Sequence, residues 1–80
     1  MSDYNRLINY IENDYYSWEN NISEWISDDY HSWLNDATRE CSTRYQLNRS
    51  FDNWQNYVGH IVQNEFNDLV EYYDELVSDF

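Results

Sequence analysis

The groups in this chain that could do chemistry are two histidines, one cysteine and sixteen carboxylates, and spacing decides among them. Asp28 and His31 stand three residues apart, so on a helix they share one face and could begin a metal site. A second such pair is missing. His60 has no Asp or Glu three or four residues away, and Glu65 comes only five later. Di-metal helical sites require a repeated Glu-x-x-His with two further glutamates, and that pattern is not here. Neither is an Asp-x-Asp-x-Asp-Gly calcium loop or a glycine-rich phosphate cradle. Cys41 paired with either histidine would need an orienting third group and an oxyanion site, which nothing in the sequence specifies. The expectation is a protein that is not an enzyme, with no catalytic residue, no metal and no cofactor.

The carboxylates are a different matter. From Glu65 onward the chain reads EFNDLVEYYDELVSDF, six acids with no base among them. If Phe66, Leu69, Val70, Tyr73, Leu76 and Val77 turn inward on a helix, then Glu65, Asp68, Glu71, Asp74, Glu75 and Asp79 fan over the outer face. At ~1.5 Å per residue their spacing is roughly one charge per 3 to 4 Å, close to the ~3.4 Å between phosphates along one DNA strand. Acids near a helix C-terminus oppose the macrodipole, each costing about 0.3 to 1 kcal/mol, so stability alone does not select them.

Composition points the same way. The chain has a formal charge of −12, four arginines and no lysine. Such a surface repels DNA, RNA and anionic lipid, whose binding depends on cationic side chains displacing counterions, and attracts basic partners instead. Solubility is served by mixed signs, so the lack of lysine suggests that the field itself is used. Three arginines, Arg39, Arg44 and Arg49, cluster near the middle. Arg39 is expected to serve a helix C-terminus, and the others to pair with nearby acids.

The elements that must position these groups are helical. One glycine and no proline leave few residues for tight hairpin turns. An 80-residue domain buries a limited fraction of its surface, and sixteen aromatic residues supply bulk in place of length. Tyr4, Ile8, Ile11, Tyr15, Trp18, Ile22 and Trp25 are spaced by fours and threes, one stripe of a helix. The next seam position is Asp29, which breaks the series. The stripe resumes one place over at Ile26, Tyr30, Trp33, Ala37 and Cys41, so the helix either shifts register or is interrupted. Asn20-Asn21 is the expected interruption, with Asn21 and Glu24 forming a capping box. Residues 42–49 read as a loop. Ser50 then caps a third helix, the longest, whose stripe runs from Phe51 through Val58 and Phe66 to Phe80, with Gly59 as its one flexible point. The expected fold is all-α: a single domain over 1–80, a small antiparallel bundle or hairpin of two to three helices near 3–19, 22–41 and 50–78.

Within the first stripe a phrase repeats, Asp14-Tyr15-Tyr16-Ser17-Trp18 and Asp29-Tyr30-His31-Ser32-Trp33. In each copy the leading Tyr–Trp pair, Tyr15–Trp18 or Tyr30–Trp33, is three apart and faces inward, and the aspartate sits at the stripe's flank. Tyr10, Tyr16 and Tyr57 fall off the stripes, where exposed tyrosine serves well as an interface anchor. The candidate partner-binding set is therefore Glu65, Asp68, Glu71, Asp74, Glu75 and Asp79, joined by Asp14, Asp28, Asp29 and Tyr16. The lone cysteine, the lack of a basic-then-apolar leader and the lack of a long apolar run indicate a cytoplasmic protein.

The lysine-free acidic helices, above all the 65–79 face, resemble the small phage-encoded DNA-mimic inhibitors: anti-restriction proteins, glycosylase inhibitors and acidic anti-CRISPR proteins. The likeness spans the chain and lies in composition and charge layout. It implies an inhibitor that occupies the phosphate groove of a basic nucleic-acid-handling protein, such as a nuclease, a CRISPR effector or a repair enzyme, in the host cytoplasm. The contrasting expectation is a helical oligomerisation or adaptor module, whose heptad-spaced rings make a homodimer seam.

Overall fold

In the computed structural model, residues 3–79 are described. Two helices hold nearly all of them: α1, Asp3–Glu40, and α2, Arg44–Ser78. Cross-helix partners run in opposite senses. Trp33 meets Ser50 and Phe51, Asp29 meets Trp54, Trp18 meets Phe66 and Asp14 meets Tyr73. The fold is an antiparallel helical hairpin, a rod of 60 × 17 × 12 Å. It is all-α, as the sequence leads one to expect, but with two helices, the 38-residue α1 exceeding the 35-residue α2.

The expected interruption at Asn20-Asn21 is absent, because packing on either side outweighs a weak local preference. Trp18 sets its ring 6.0 Å from Phe66, and Ile22 and Trp25 are half-buried one turn on. Asn costs a helix interior only about 0.5 kcal/mol against Ala, less than one buried aromatic contributes. The stripe instead shifts register on a continuous helix. Its members Trp18, Ile22, Ile26 and Tyr30 follow in successive steps of four before the three-residue step to Trp33, the kind of stutter that locally unwinds a supercoil.

The loop is also shorter than expected. Backbone helix bonding ends at Cys41, whose N–H donates to Ala37 O, and α2 begins three residues later. Thr43 is its N-cap, in extended conformation, its Oγ1 accepting from the Gln46 N–H at 3.2 Å. Gln46 reaches back, its Oε1 accepting from the Ser42 N–H at 2.8 Å. This is a capping box displaced by one residue, and Thr43-Arg44-Tyr45-Gln46 carried its signature in plain sight. Ser50, expected as a cap, lies in the seam, where its Oγ accepts from Trp33 Nε1. Gly59 sits in unbroken helix with open space around it.

Packing is aromatic and thin. Tyr30, Trp33, Phe51 and Trp54 form one four-ring cluster in the half of the rod nearer the turn, with centroid separations from 5.3 Å for Trp33–Phe51 to 6.0 Å for Trp33–Trp54. Among the described residues only Ala37 and Val58 are buried, at 2% and 8% exposure. The expected stripe of the last helix is half-buried at Phe51, Trp54, Ile61, Val62, Phe66, Leu69, Tyr73 and Leu76, while Val70 and Val77 are exposed at its edge. Phe80 lies outside the described residues. No helix of the described residues is long and apolar enough to cross a membrane.

Candidate functional site

The repeated phrase resolves into a repeated structural unit. Tyr15–Trp18 and Tyr30–Trp33 have ring centroids 5.7 and 5.8 Å apart at the same 36° interplanar angle. Each tryptophan then meets a phenylalanine of α2, Trp18 with Phe66 and Trp33 with Phe51. Both steps, from residue 18 to 33 and from 51 to 66, are fifteen residues, so one packing unit recurs along both helices.

The aspartates of that phrase do not look outward. Asp29 Oδ2 accepts from Trp54 Nε1 at 2.8 Å, and Asp14 Oδ2 accepts from the Tyr73 hydroxyl at 2.7 Å. Both carboxylates are half-buried between the helices. Asp14 and Asp29, expected in the partner-binding set, therefore belong to the seam. Water satisfies an exposed carboxylate, whereas at these positions an indole or phenol donor from α2 replaces it, and a charged acceptor makes the stronger bond. A signal was present: in the series of fours and threes Asp29 occupies a seam position, and an acid there needs a donor opposite.

At the open end of the rod the bond from Tyr73 extends into a small phenol cluster. The Tyr10 and Tyr72 hydroxyls lie 2.9 Å apart across the helices, and the Tyr72 and Tyr73 rings are 5.7 Å apart. Burial, the bond to Asp14 and that carboxylate's charge all push the Tyr73 phenol above its ordinary range. The hydrogen bond with Tyr10 raises that of Tyr72, with desolvation and the charge of Asp14 adding to it. Tyr10, read from the sequence as lying off the stripe, thus acts in closing the hairpin.

The remaining candidates are on the surface. Glu65, Asp68, Glu71, Asp74, Glu75 and Asp79 are all exposed, as are Asp28 and Tyr16, the latter at 65%. Asp68, Glu71, Glu75 and Asp79, spaced three, four and four apart, form one row along α2, with Glu65 and Asp74 to its sides. Residues 65 to 79 span about 21 Å of helix, so six carboxylates lie roughly one per 4 Å. The ion pair found among the described residues is elsewhere, between Arg39 and Asp36 at 2.8 Å in the last turn of α1. Arg39 Nε also donates to Asn35 O, the helix-end role expected of it. Arg44 and Arg49, expected to pair with acids, carry no ion pair among the described residues.

Charge is consequently segregated along the rod. Residues 36–49, the turn end, hold Asp36, Glu40, Arg39, Arg44 and Arg49, a net +1. The remainder holds fourteen acids and Arg6, a net −13, and these two parts account for the −12 of the chain. Among the described residues no three His, Cys, Asp or Glu side chains are grouped to hold a metal ion. His31 is exposed beside Tyr30, His60 is exposed on α2, and Cys41 is a free, half-buried thiol.

The sequence missed an open groove of about 430 Å³ halfway along the rod, lined by Trp18, Asn21, Ile22 and Trp25 of α1 and by Ile61 and Glu65 of α2. The Nε1 of Trp18 is buried without an acceptor, while Trp33 and Trp54 both have one. Comparison of the chain with protein-family models, with characterised proteins and with solved structures finds no match in any of the three.

Proposed function

We propose that this protein is a nucleic-acid mimic: an acidic helical rod that occupies the phosphate-binding groove of a basic nucleic-acid-handling protein and so inhibits it. The observation that carries this reading is the exposed row Asp68, Glu71, Glu75 and Asp79, flanked by Glu65 and Asp74 at the C-terminal end of α2. No basic residue stands in the last turn of that helix, so the acids nearest its end, Glu75 and Asp79, work against the macrodipole there. An arrangement that lowers stability, lacks internal counter-charge and approaches the phosphate pitch of a DNA strand fits a cationic groove. Rigid helical presentation keeps the row ordered before binding, which lowers the entropic cost of association.

Tyr16, the most exposed of the candidate anchors on α1, offers apolar contact area, and Asp28 is a further exposed acid on that helix. The partner class is a nuclease, a CRISPR effector or a repair enzyme, consistent with an anti-CRISPR or anti-restriction role in a host cytoplasm. The adaptor reading loses its main support, because the heptad-spaced rings close on the chain's own second helix.

Affinity capture tests the proposal. Wild-type protein should retain a nucleic-acid-binding protein that duplex DNA displaces, and the triple variant Asp68→Asn, Glu71→Gln, Glu75→Gln should retain it at least tenfold less well. Equal retention by the two, or indifference to DNA, would overturn it.

A further inference from the structure

The groove halfway along the rod brings together groups that the hairpin itself leaves unused. Three of the four tryptophans are engaged elsewhere: Trp33 and Trp54 stack in the ring cluster and donate their N–H groups, and Trp18 packs its ring against Tyr15 and Phe66. Trp25, which lines the groove, has neither a ring partner nor a hydrogen bond among the described residues. On the α2 side stands Glu65, exposed and with no cation paired to it among the described residues. Ile22 and Ile61 add apolar wall, and Asn21 an exposed amide.

These chemistries together select an occupant. A carboxylate beside isoleucine and indole attracts a cation, and an indole face does the same through its quadrupole, more strongly where water is partly excluded. Guanidinium suits the set better than ammonium. It is planar and weakly hydrated, it stacks on an aromatic face, and it presents a fork of donors to a carboxylate. The methylene stem of the same side chain packs on the isoleucines. At about 430 Å³ the groove has room for a side chain that arrives on another molecule.

Placement ties the groove to the acidic row. Ile61, Glu65 and Asp68 follow in steps of four and three, so the α2 wall of the groove continues along one helix face to Asp68 and Glu75. Glu65 and Asp68 are ~4.5 Å apart along the axis. A basic protein laid along the row therefore brings its next cationic side chain over the groove.

We infer that the groove between Trp25 and Glu65 receives one arginine side chain of the basic partner, its guanidinium stacked on the indole and paired with the carboxylate. The identity of that partner rests on the nucleic-acid-mimic reading, to which the groove adds an aromatic contact that a phosphate backbone lacks.

Two capped peptides of equal charge, Lys-Lys-Arg-Lys-Lys and pentalysine, separate the groove from the general field when titrated into the full chain and followed by the indole N–H signals in NMR. The arginine peptide should bind about fivefold more tightly, as one cation–π contact gives, and shift the Trp25 signal most. Glu65→Gln, a change at an exposed position, and Trp25→Leu should each erase that difference. Asp79→Asn, which removes the same charge from the far end of the row, should weaken both peptides and leave their ratio unchanged. Equal affinity of the two peptides for wild type, absence of binding by both included, or a ratio that survives Glu65→Gln, would overturn the inference. The chain is alone in this titration, so a captured partner indifferent to DNA would remove the mimic reading and leave the guanidinium groove standing, whereas equal peptides would do the reverse.

Discussion

If the acids of this chain fall into two physical kinds, the same substitution should have opposite effects on stability at Asp29 and at Asp68. Asp29→Ala removes the acceptor of the 2.8 Å bond from Trp54 Nε1 and leaves a half-buried indole N–H without a partner. Hydrogen bonds to charged groups contribute about 1.5 to 3 kcal/mol, and half-burial puts this one near the low end. For a domain of this size, ~1.5 kcal/mol corresponds to a fall in Tm of about 6 to 12 °C. Asp68→Ala removes an exposed acid that stands three residues from both Glu65 and Glu71 on the same helix. Relief of two like-charge pairs at about 0.2 to 0.5 kcal/mol each should raise stability by about 0.4 to 1 kcal/mol, or roughly 2 to 8 °C. The helix-propensity gain from alanine is common to both and cancels in the comparison. Thermal melts followed by circular dichroism give the two shifts. A double-mutant cycle with Trp54→Phe then isolates the seam bond, since Asp29→Ala should cost little more once the indole donor is gone. Equal shifts at positions 29 and 68, or no coupling between 29 and 54, would refute the division into seam acids and surface acids.

Three further outcomes follow from the same structure. Gly59→Ala should stabilise the hairpin by about 0.5 to 1 kcal/mol in urea melts, because an added Cβ meets nothing within 4 Å and glycine is costly mid-helix. Trp18→Phe should cost clearly less than Trp54→Phe, since the Trp18 N–H is already without an acceptor whereas that of Trp54 donates to Asp29. The Tyr72 and Tyr73 phenols, raised above the ordinary ~10, bind their protons more tightly folded than unfolded. Their contribution is therefore complete below about pH 10 and lost as pH rises through the folded values. Urea melts at about pH 8 and pH 11 should show that loss, and Tyr73→Phe, though less stable at pH 8, should lose less between them.

Which features could be read from the residues alone follows from how local their causes are. The stripes from Tyr4 to Trp25 and from Ile26 to Cys41 come from local spacing, and the structure keeps their aliphatic and tryptophan members at least half-buried, while Tyr4, Tyr15 and Tyr30, expected inward, stay exposed at the edge with the Tyr15 and Tyr30 rings against Trp18 and Trp33. Asn20-Asn21 misleads because its preference for a cap is real but small, and the Trp18–Phe66 contact that overrides it joins residues far apart in the chain. The start of α2 was open to reading, since Thr43 and Gln46 have capping-box spacing, but the polar run around them conceals Leu47 as the first member of the stripe. The roles of Asp14 and Asp29 depend on which donors stand opposite on α2, and that is decided only when the two helices come together. The exposed acids of residues 65 to 79 were legible throughout, because an apolar stripe on one face leaves them no other.

The most direct test of the mimicry claim is competition on the purified captured partner, titrating duplex DNA against a fixed amount of this protein while following both. Mimicry predicts mutually exclusive binding, in which each ligand raises the other's apparent Kd in proportion to its concentration and the affinity of both falls as salt rises. A ternary complex in which the partner holds DNA and this protein together, each with undiminished affinity, would contradict it.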